Sequence, residues 1–259
     1  MVFGPRRADV FGTRADALVA LKQVVDPKAK KKPALHSTAL SVVPSPGGRS
    51  AWAVDIVETE GESLAVTAIL SNADDIWLVN VAALARTPAM RTIRAELKQE
   101  AVVPPAMTGI AKVDASAQGA VDRFDKGLAS QQLWGDDLAS RSDAVVIGPG
   151  AGDVTRGKAE IKKLWKHRMK ENVREVIAGD RTASATKDGQ LAWVTAPVVR
   201  FADDDDPLPL RAFAVFEKNG SEWRMIALTE SVALDVAGAG AVFKKTQPPK
   251  LEKKEEPPP

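Results

Sequence analysis

Apolar positions recur at helical spacing over Thr13 to Val25, where Leu18, Leu21 and Val25 form one stripe, and then give way to strand-like alternation. Ala39 to Val43 reads as a strand, Pro46-Gly47-Gly48 as a turn, and Trp52-Ala53-Val54-Asp55-Ile56 as an alternating strand. Leu64 to Leu70 and Ile76 to Leu84 follow, joined by the polar turn Asn72 to Asp75. Such a meander predicts an antiparallel sheet with one buried face. Thr87-Pro88 suits the start of a short amphipathic helix carrying Met90, Ile93 and Leu97, and Pro104-Pro105 closes the unit.

A second unit repeats this order with more helix in front. Val121, Phe124 and Leu128 place a helix over Ser116 to Leu128, a shorter one spans Gln131 to Ala139, and a strand covers Ala144 to Ile147. The long helix Lys158 to Glu171 leads to strands near Val173 to Ile177, Thr182 to Thr186, Gln190 to Phe201, Pro209 to Glu217 and Trp223 to Val232. Pro197 has no amide hydrogen, which predicts an edge strand or a bulge at that point. The tail Lys244 to Pro259 carries too few apolar residues to fold and reads as disordered.

The two units share a motif. Val2-Phe3-Gly4-Pro5, Asp9-Val10 and Ala15-Asp16 return as Val146-Ile147-Gly148-Pro149, Asp153-Val154 and Ala159-Glu160, always 144 residues on (148 against 4, 153 against 9, 159 against 15). Trp52 and Trp193 are 141 apart, and Trp77 and Trp223 are 146 apart. A period of that length predicts two tandem domains rather than a solenoid. The divisions read as 1–104, a first domain plus linker helix; 105–236, a complete second domain; and 237–259, the tail. The first unit has no room for helices like those over 116–139, so the expectation is that they lie upstream of Met1.

Composition narrows the chemistry. With 259 residues and 44% hydrophobic content, the chain can bury two ordinary cores. Zero cysteines exclude disulfides and thiolate metal sites, and His36 and His167 are the two imidazoles, so neither a metal nor a cofactor is expected. Lys plus Arg (36) against Asp plus Glu (34) leaves +2, which points to neither nucleic acid nor an anionic membrane. No apolar run reaches the roughly 20 residues of a membrane span, and MVFGPRRADV lacks the apolar core of a secretory signal, so the chain as written predicts a cytoplasmic protein.

The second unit resembles the cone-shaped α+β fold of the nuclear transport factor 2-like superfamily, which includes ketosteroid isomerase and the SnoaL-like polyketide cyclases. The likeness rests on Arg123-Phe124 in the opening helix, Asp143-Ala144-Val145-Val146-Ile147-Gly148-Pro149, and Arg156-Gly157-Lys158-Ala159-Glu160-Ile161. It rests also on the turn Lys218-Asn219-Gly220 before Trp223. The resemblance implies two cones, each a curved antiparallel sheet with helices over its concave face and a pocket between. It also implies where isomerase chemistry would sit. The base would stand at Gly148 (Gly4 in the first unit), the oxyanion tyrosine at Phe124, and the aspartic acid near Arg211 or Ala212. None of these can play its role, and the chain has no tyrosine, so that chemistry is not expected.

Other candidates are weak. His167, among Lys166, Arg168 and Lys170, reads as part of a solvated helix face and is the remaining candidate acid or base. His36 has no helix to fix it, Asp203 to Asp206 reads as a turn rather than a calcium loop, and Lys28 to Lys32 reads as an exposed loop. Trp52, Trp77, Trp193 and Trp223 read as sheet core, whereas Phe124, Leu128, Trp134, Trp165 and Phe213 are the expected walls of an apolar ligand pocket. The leading reading is a non-enzymatic protein that binds a small apolar ligand or scaffolds a partner, its sheets pairing as an intramolecular pseudo-dimer or a homodimer. Alternatives are an acid–base enzyme (isomerase, dehydratase or cyclase type) using the second pocket, and a module that docks protein partners through its tail.

Overall fold

Strand formation follows the alternation of the sequence. The first sheet contains β1 (Val2–Phe3), β2 (Val10–Phe11), β3 (His36–Ser37), β4 (Ser41–Pro44), β5 (Ser50–Thr59), β6 (Glu62–Ala73) and β7 (Ile76–Arg86). The second contains β8 (Val145–Ile147), β9 (Val154–Arg156), β10 (Arg174–Ile177), β11 (Thr182–Ala185), β12 (Leu191–Ala202), β13 (Asp205–Asn219) and β14 (Glu222–Ser231). The described helices are α1 (Met90–Gln99), α2 (Gln118–Ala129), α3 (Gln131–Leu138) and α4 (Gly157–Lys170). The structure is a computed structural model that describes residues 1–3, 10–13, 15–16, 36–59, 62–87, 89–99, 112–203 and 205–232. Most of the helix expected over Thr13 to Val25, the Lys28 to Lys32 loop, Pro104-Pro105 and the tail lie outside these residues.

The two seven-stranded sheets have one topology. The first runs β2-β1-β7-β6-β5-β3 with β4 also on β5, and the second runs β9-β8-β14-β13-β12-β10 with β11 also on β12. The registers agree in detail. Trp52 faces Ile69 as Trp193 faces Val215, and each long hairpin has a β-bulge at the same place, between Ile69 and Leu70 and between Val215 and Phe216. Each sheet departs from pure antiparallel pairing once, because β1 runs parallel to β7 and β8 parallel to β14. Pro197 lies on neither an edge strand nor a bulge. It sits on β12 between the stretch that pairs β11 (192–195) and the stretch that pairs β10 (198–201), where a missing ladder donor costs little.

Alternation sends opposite faces of the second sheet to different layers. Val194, Ala196, Leu210, Ala214, Phe216 and Met225 face the helices, while Leu191, Trp193, Phe213, Val215 and Ile226 face the first sheet. There they meet Phe3, Trp52, Val54, Ile69 and Val81 in one buried layer. Phe3 is its centre, with its ring edge-on to Trp193 at 5.7 Å and 6.1 Å from Phe213. Each fully buried side chain of this size contributes about 1.5–3 kcal/mol, so the sheets hold each other mainly by apolar burial. Polar ties add register: the Thr67 and Thr229 hydroxyls lie 2.6 Å apart, the Ser50 hydroxyl donates to Asp188 at 2.8 Å, and Arg156 donates to the Ala39 carbonyl at 2.8 Å.

The linker helix α1 packs with the second half, where Ile93 joins the helix-side core and Met90 lies against Gly150. Among the described residues no helix is long and apolar enough to cross a membrane.

Candidate functional site

The inside of the second half is built by three helices. α4 begins at Gly157, whose φ of +76° is a left-handed conformation that glycine adopts without strain. Its inward stripe is Ile161, Trp165 and Arg168, spaced i, i+4, i+7. Helices α2 and α3 are pinned to β14 through one carboxylate. Asp137 accepts from Arg123 Nε at 2.8 Å and from the Met225 backbone N–H at 3.3 Å.

Phe124, Trp134 and Trp165, three of the residues expected to wall a pocket, lie together here and fill the space with their rings. Phe124 and Trp134 are completely buried with ring centroids 5.1 Å apart, and Trp165 is buried beside them. Glycines seat the indoles. A Cβ at Gly127 would fall 1.7 Å from Trp134 Nε1, and one at Gly135 would fall 2.3 Å from Trp165. The Trp165 indole N–H donates to the Gln131 carbonyl at 2.5 Å, and Leu128 packs half-buried against the same core. Phe213 does not belong to this group. Its odd place in the β13 alternation turns it toward the first sheet, stacked 6.1 Å from Trp193. His167 is 63% exposed and faces Glu171 at 3.4 Å, on the outside of α4.

The three isomerase positions are occupied by structure. A side chain at Gly148 would meet Asp153 Cβ at 2.9 Å, and Asp153 is itself engaged as acceptor of the Gly150 N–H at 2.9 Å. Phe124 has no hydroxyl to donate. Of the two residues expected near the third position, Ala212 faces the helices and Arg211 faces away, its guanidinium 5.9 Å from the Phe3 ring centroid.

What sequence reasoning missed is a buried quartet of charges on the helix side of the sheet. Arg168 donates to both Glu230 oxygens, at 3.0 and 2.6 Å. Arg200 donates to Glu175 at 2.9 and 2.7 Å and pairs also with Glu230. The side chains of Glu175 and Glu230 are wholly buried. Arg168, read from the sequence as solvated, is the inward residue of α4 and stacks its guanidinium 4.8 Å over the Trp165 ring. Burial, with the Glu230 charge, pushes the Glu175 carboxyl above the ordinary range. Burial works against the Glu230 charge too, but Arg168 and Arg200 outweigh it and hold that carboxyl well below the ordinary range. The available signal was phase: Arg200 and Glu230 fall on the covered face of otherwise apolar strands. Among the described residues the first sheet has no such group there. Thr59 stands where Arg200 does, and Leu84, facing Val66, stands where Glu230 faces Ala212.

The outer surface supplies two further features. A polar depression of about 530 Å³ opens between Lys112, Gln118, Asp125, Asp180 and Arg181. The other feature is the β6–β7 hairpin. Ile76, Trp77, Leu78 and Val79 are 62, 45, 53 and 58% exposed, so Trp77, read as core from the sequence, is a surface residue. Its counterpart Trp223 is 8% exposed and lies against Gly119 of α2, and Val79's counterpart Met225 is fully buried. Among the described residues no cluster of His, Asp and Glu could hold a metal ion.

Comparison with known proteins locates the second half. Residues 129–235 match the model of the SnoaL-like domain, and this part of the chain is a SnoaL-like domain of nuclear transport factor 2-like fold. That fold serves isomerases, cyclases and non-enzymes alike. No curated protein matches the chain. Among solved structures, a Xanthomonas campestris protein named as a calcium/calmodulin dependent protein kinase II association domain is 18% identical. The match covers 53% of this chain and 99% of that one, with a TM-score of 0.41. A nuclear transport factor 2-like protein of unknown function from Pseudomonas putida KT2440 is 19% identical over 52% of this chain and 95% of its own, TM-score 0.37. A protein from Parabacteroides distasonis named as a ketosteroid isomerase is 12% identical over 49% and 94%, TM-score 0.36.

Proposed function

We propose that this protein is a non-enzymatic docking scaffold: two cones joined back to back as a pseudo-dimer in one chain, with the first-sheet hairpin as the surface that meets a protein partner. The observation that carries the reading is the exposed run Ile76 to Val79, in which Trp77 and Val79 are bare while their register twins Trp223 and Met225 are buried, and Ile76 and Leu78 put apolar side chains where the twin hairpin carries Glu222 and Arg224. Trp77 and Val79 on one face of the hairpin, with Ile76 and Leu78 on the other, are a poor solvent surface and a good interface core. The interior of the second half favours this reading over an apolar-ligand carrier, because Phe124, Trp134 and Trp165 are packed against protein on all sides.

Photo-crosslinking in cells from a reactive residue at position 77, followed by mass spectrometry, tests it. Protein adducts are expected at position 77 and none from the same residue placed at the exposed Lys163. Native mass spectrometry of the freshly purified chain should give its bare mass. A constant small-molecule adduct that disappears on Trp134→Ala would favour the ligand carrier instead.

A second reading, an acid–base enzyme, draws on Glu175, a carboxyl held toward its protonated form beside Arg200 inside the second half. It predicts turnover of a dienone or epoxide probe that Glu175→Gln abolishes and His167→Ala leaves unchanged.

A further inference from the structure

The two hairpins allow a bare surface to be compared with its own covered copy. In the second sheet, Trp223 lies one residue after the turn, and α2 closes over it through a glycine: a Cβ on Gly119 would come within 2.7 Å of the ring. One helical turn further, Arg123 projects from the same side of α2; its hydrogen bond to Asp137 of α3 chiefly holds its charge, and the Glu222 carboxylate beside the hairpin turn adds a weaker attraction. Apolar Ala120, Val121 and Phe124 complete the buried stripe. The cover therefore has a readable chemistry: a small residue on the tryptophan, a base four positions later near an acid of the hairpin, and apolar residues between.

The first hairpin keeps the register and the tryptophan of the covered one, but among the described residues no helix lies over it. Trp77 pairs with Asn72 as Trp223 pairs with Lys218, and the bulge lies at the same distance from the turn. Its acids are doubled and moved onto the turn, where exposed Asp74 and Asp75 both hold left-handed backbone, φ 51° and 61°. Asn-Gly would satisfy such a turn with less strain and no repulsion, so two adjacent carboxylates there are costly unless a cation faces them.

We propose that residues 74–79 dock a basic amphipathic helix of a partner protein, with a glycine or alanine seated on Trp77 and an arginine or lysine one turn on facing Asp74 and Asp75. The assignment rests on the docking-scaffold reading and names the class of partner. Burial of an aromatic anchor with a polar rim gives such an interface its affinity, and the acidic turn gives it direction.

The probe is a peptide of residues 115–130 of this chain, carrying Asp125→Asn and stapled between positions 122 and 126, which face solvent on α2. Its helicity is checked by circular dichroism. Titrated into the ¹⁵N-labelled full chain, it should shift the amides of 74–79 and the Trp77 indole N–H saturably. Trp77→Ala should weaken binding about ten-fold, as expected for one anchor residue. The double variant Asp74→Asn with Asp75→Gly, which keeps the turn and removes both charges, should weaken it comparably, and a peptide bearing Arg123→Glu should not bind. Absence of shifts, shifts confined elsewhere, or equal binding to these variants would overturn the assignment. So would concentration-dependent shifts at 74–79 without peptide, which would make a second copy the occupant. If position 77 crosslinks to a protein in cells while the peptide fails, the scaffold reading survives and the helix assignment falls. If neither occurs, both fall.

Discussion

At the residue scale the second half depends on two kinds of tight accommodation. The charge quartet is one. Glu230 bridges Arg168 and Arg200, so Glu230→Gln leaves two buried guanidinium groups short of countercharge and should cost about 3–5 kcal/mol at pH 7. Glu175→Gln should cost far less, because Arg200 keeps Glu230. The pH dependences have opposite signs. The stability that Glu230 contributes is present above its unfolded pKa of about 4.3 and fades as pH falls toward its depressed folded value. Glu175 has a raised folded pKa, so its favourable contribution is complete below about 4.3 and is lost as pH rises through the folded value. Urea unfolding at pH 5, 7 and 9 should therefore show a fall in wild-type stability with rising pH that Glu175→Gln flattens. The glycine seats are the other accommodation. Gly127→Ala forces the Trp134 indole out of a site with no spare room and should cost about 1–3 kcal/mol or more, read as a lowered Tm.

At the scale of elements, the sheets meet through a layer with one buried hydroxyl pair at its middle. Thr67→Val strands the Thr229 hydroxyl and should cost about 1–3 kcal/mol, as should Thr229→Val, while the double variant removes both partners and should approach wild type. A denaturation cycle with additive losses would show that the pair is not coupled. Most elements of this fold were legible because period-2 and period-3.6 patterns survive in the sequence: every strand read between Leu64 and Val232 has a counterpart in the structure. Two things were hidden. Two-residue strands such as β2 and three-residue β9 are too short to carry a period. Which face of a strand meets helices and which meets the other sheet is not written in alternation when both are buried. Phe213 therefore looked like a pocket wall and lies in the inter-sheet layer, and Trp77 looked like core because nothing in its neighbourhood marks it as the exposed one of the two tryptophans.

At the scale of the whole molecule, each sheet supplies the other's solvent exclusion, and that makes the halves interdependent in a predictable way. The second sheet turns Val145, Ile147, Leu191, Trp193, Phe213 and Val215 toward the first, and Phe3 fills the gap between two of their rings. A protein cut to residues 89–236 would present this face to water as one contiguous apolar surface, while its helices, quartet and helix-side core, Ile93 included, are kept. The first sheet has the same strand order and register, so the second sheet offers a copy of itself nearly the shape of the partner it has lost. The truncated protein should accordingly form a twofold homodimer through that face, seen as a doubled mass by sedimentation equilibrium. Phe213→Asp should return it to a folded monomer, since a carboxylate buried without a partner opposes association far more than it opposes the fold of an exposed face. In the full chain the same substitution lies under Phe3 and cannot escape to solvent, so there it should lower stability without changing the mass. A truncated protein that remains monomeric and folded would mean that the inter-sheet layer contributes little, and the back-to-back architecture would then owe its stability to the polar ties at Ser50, Thr67 and Arg156.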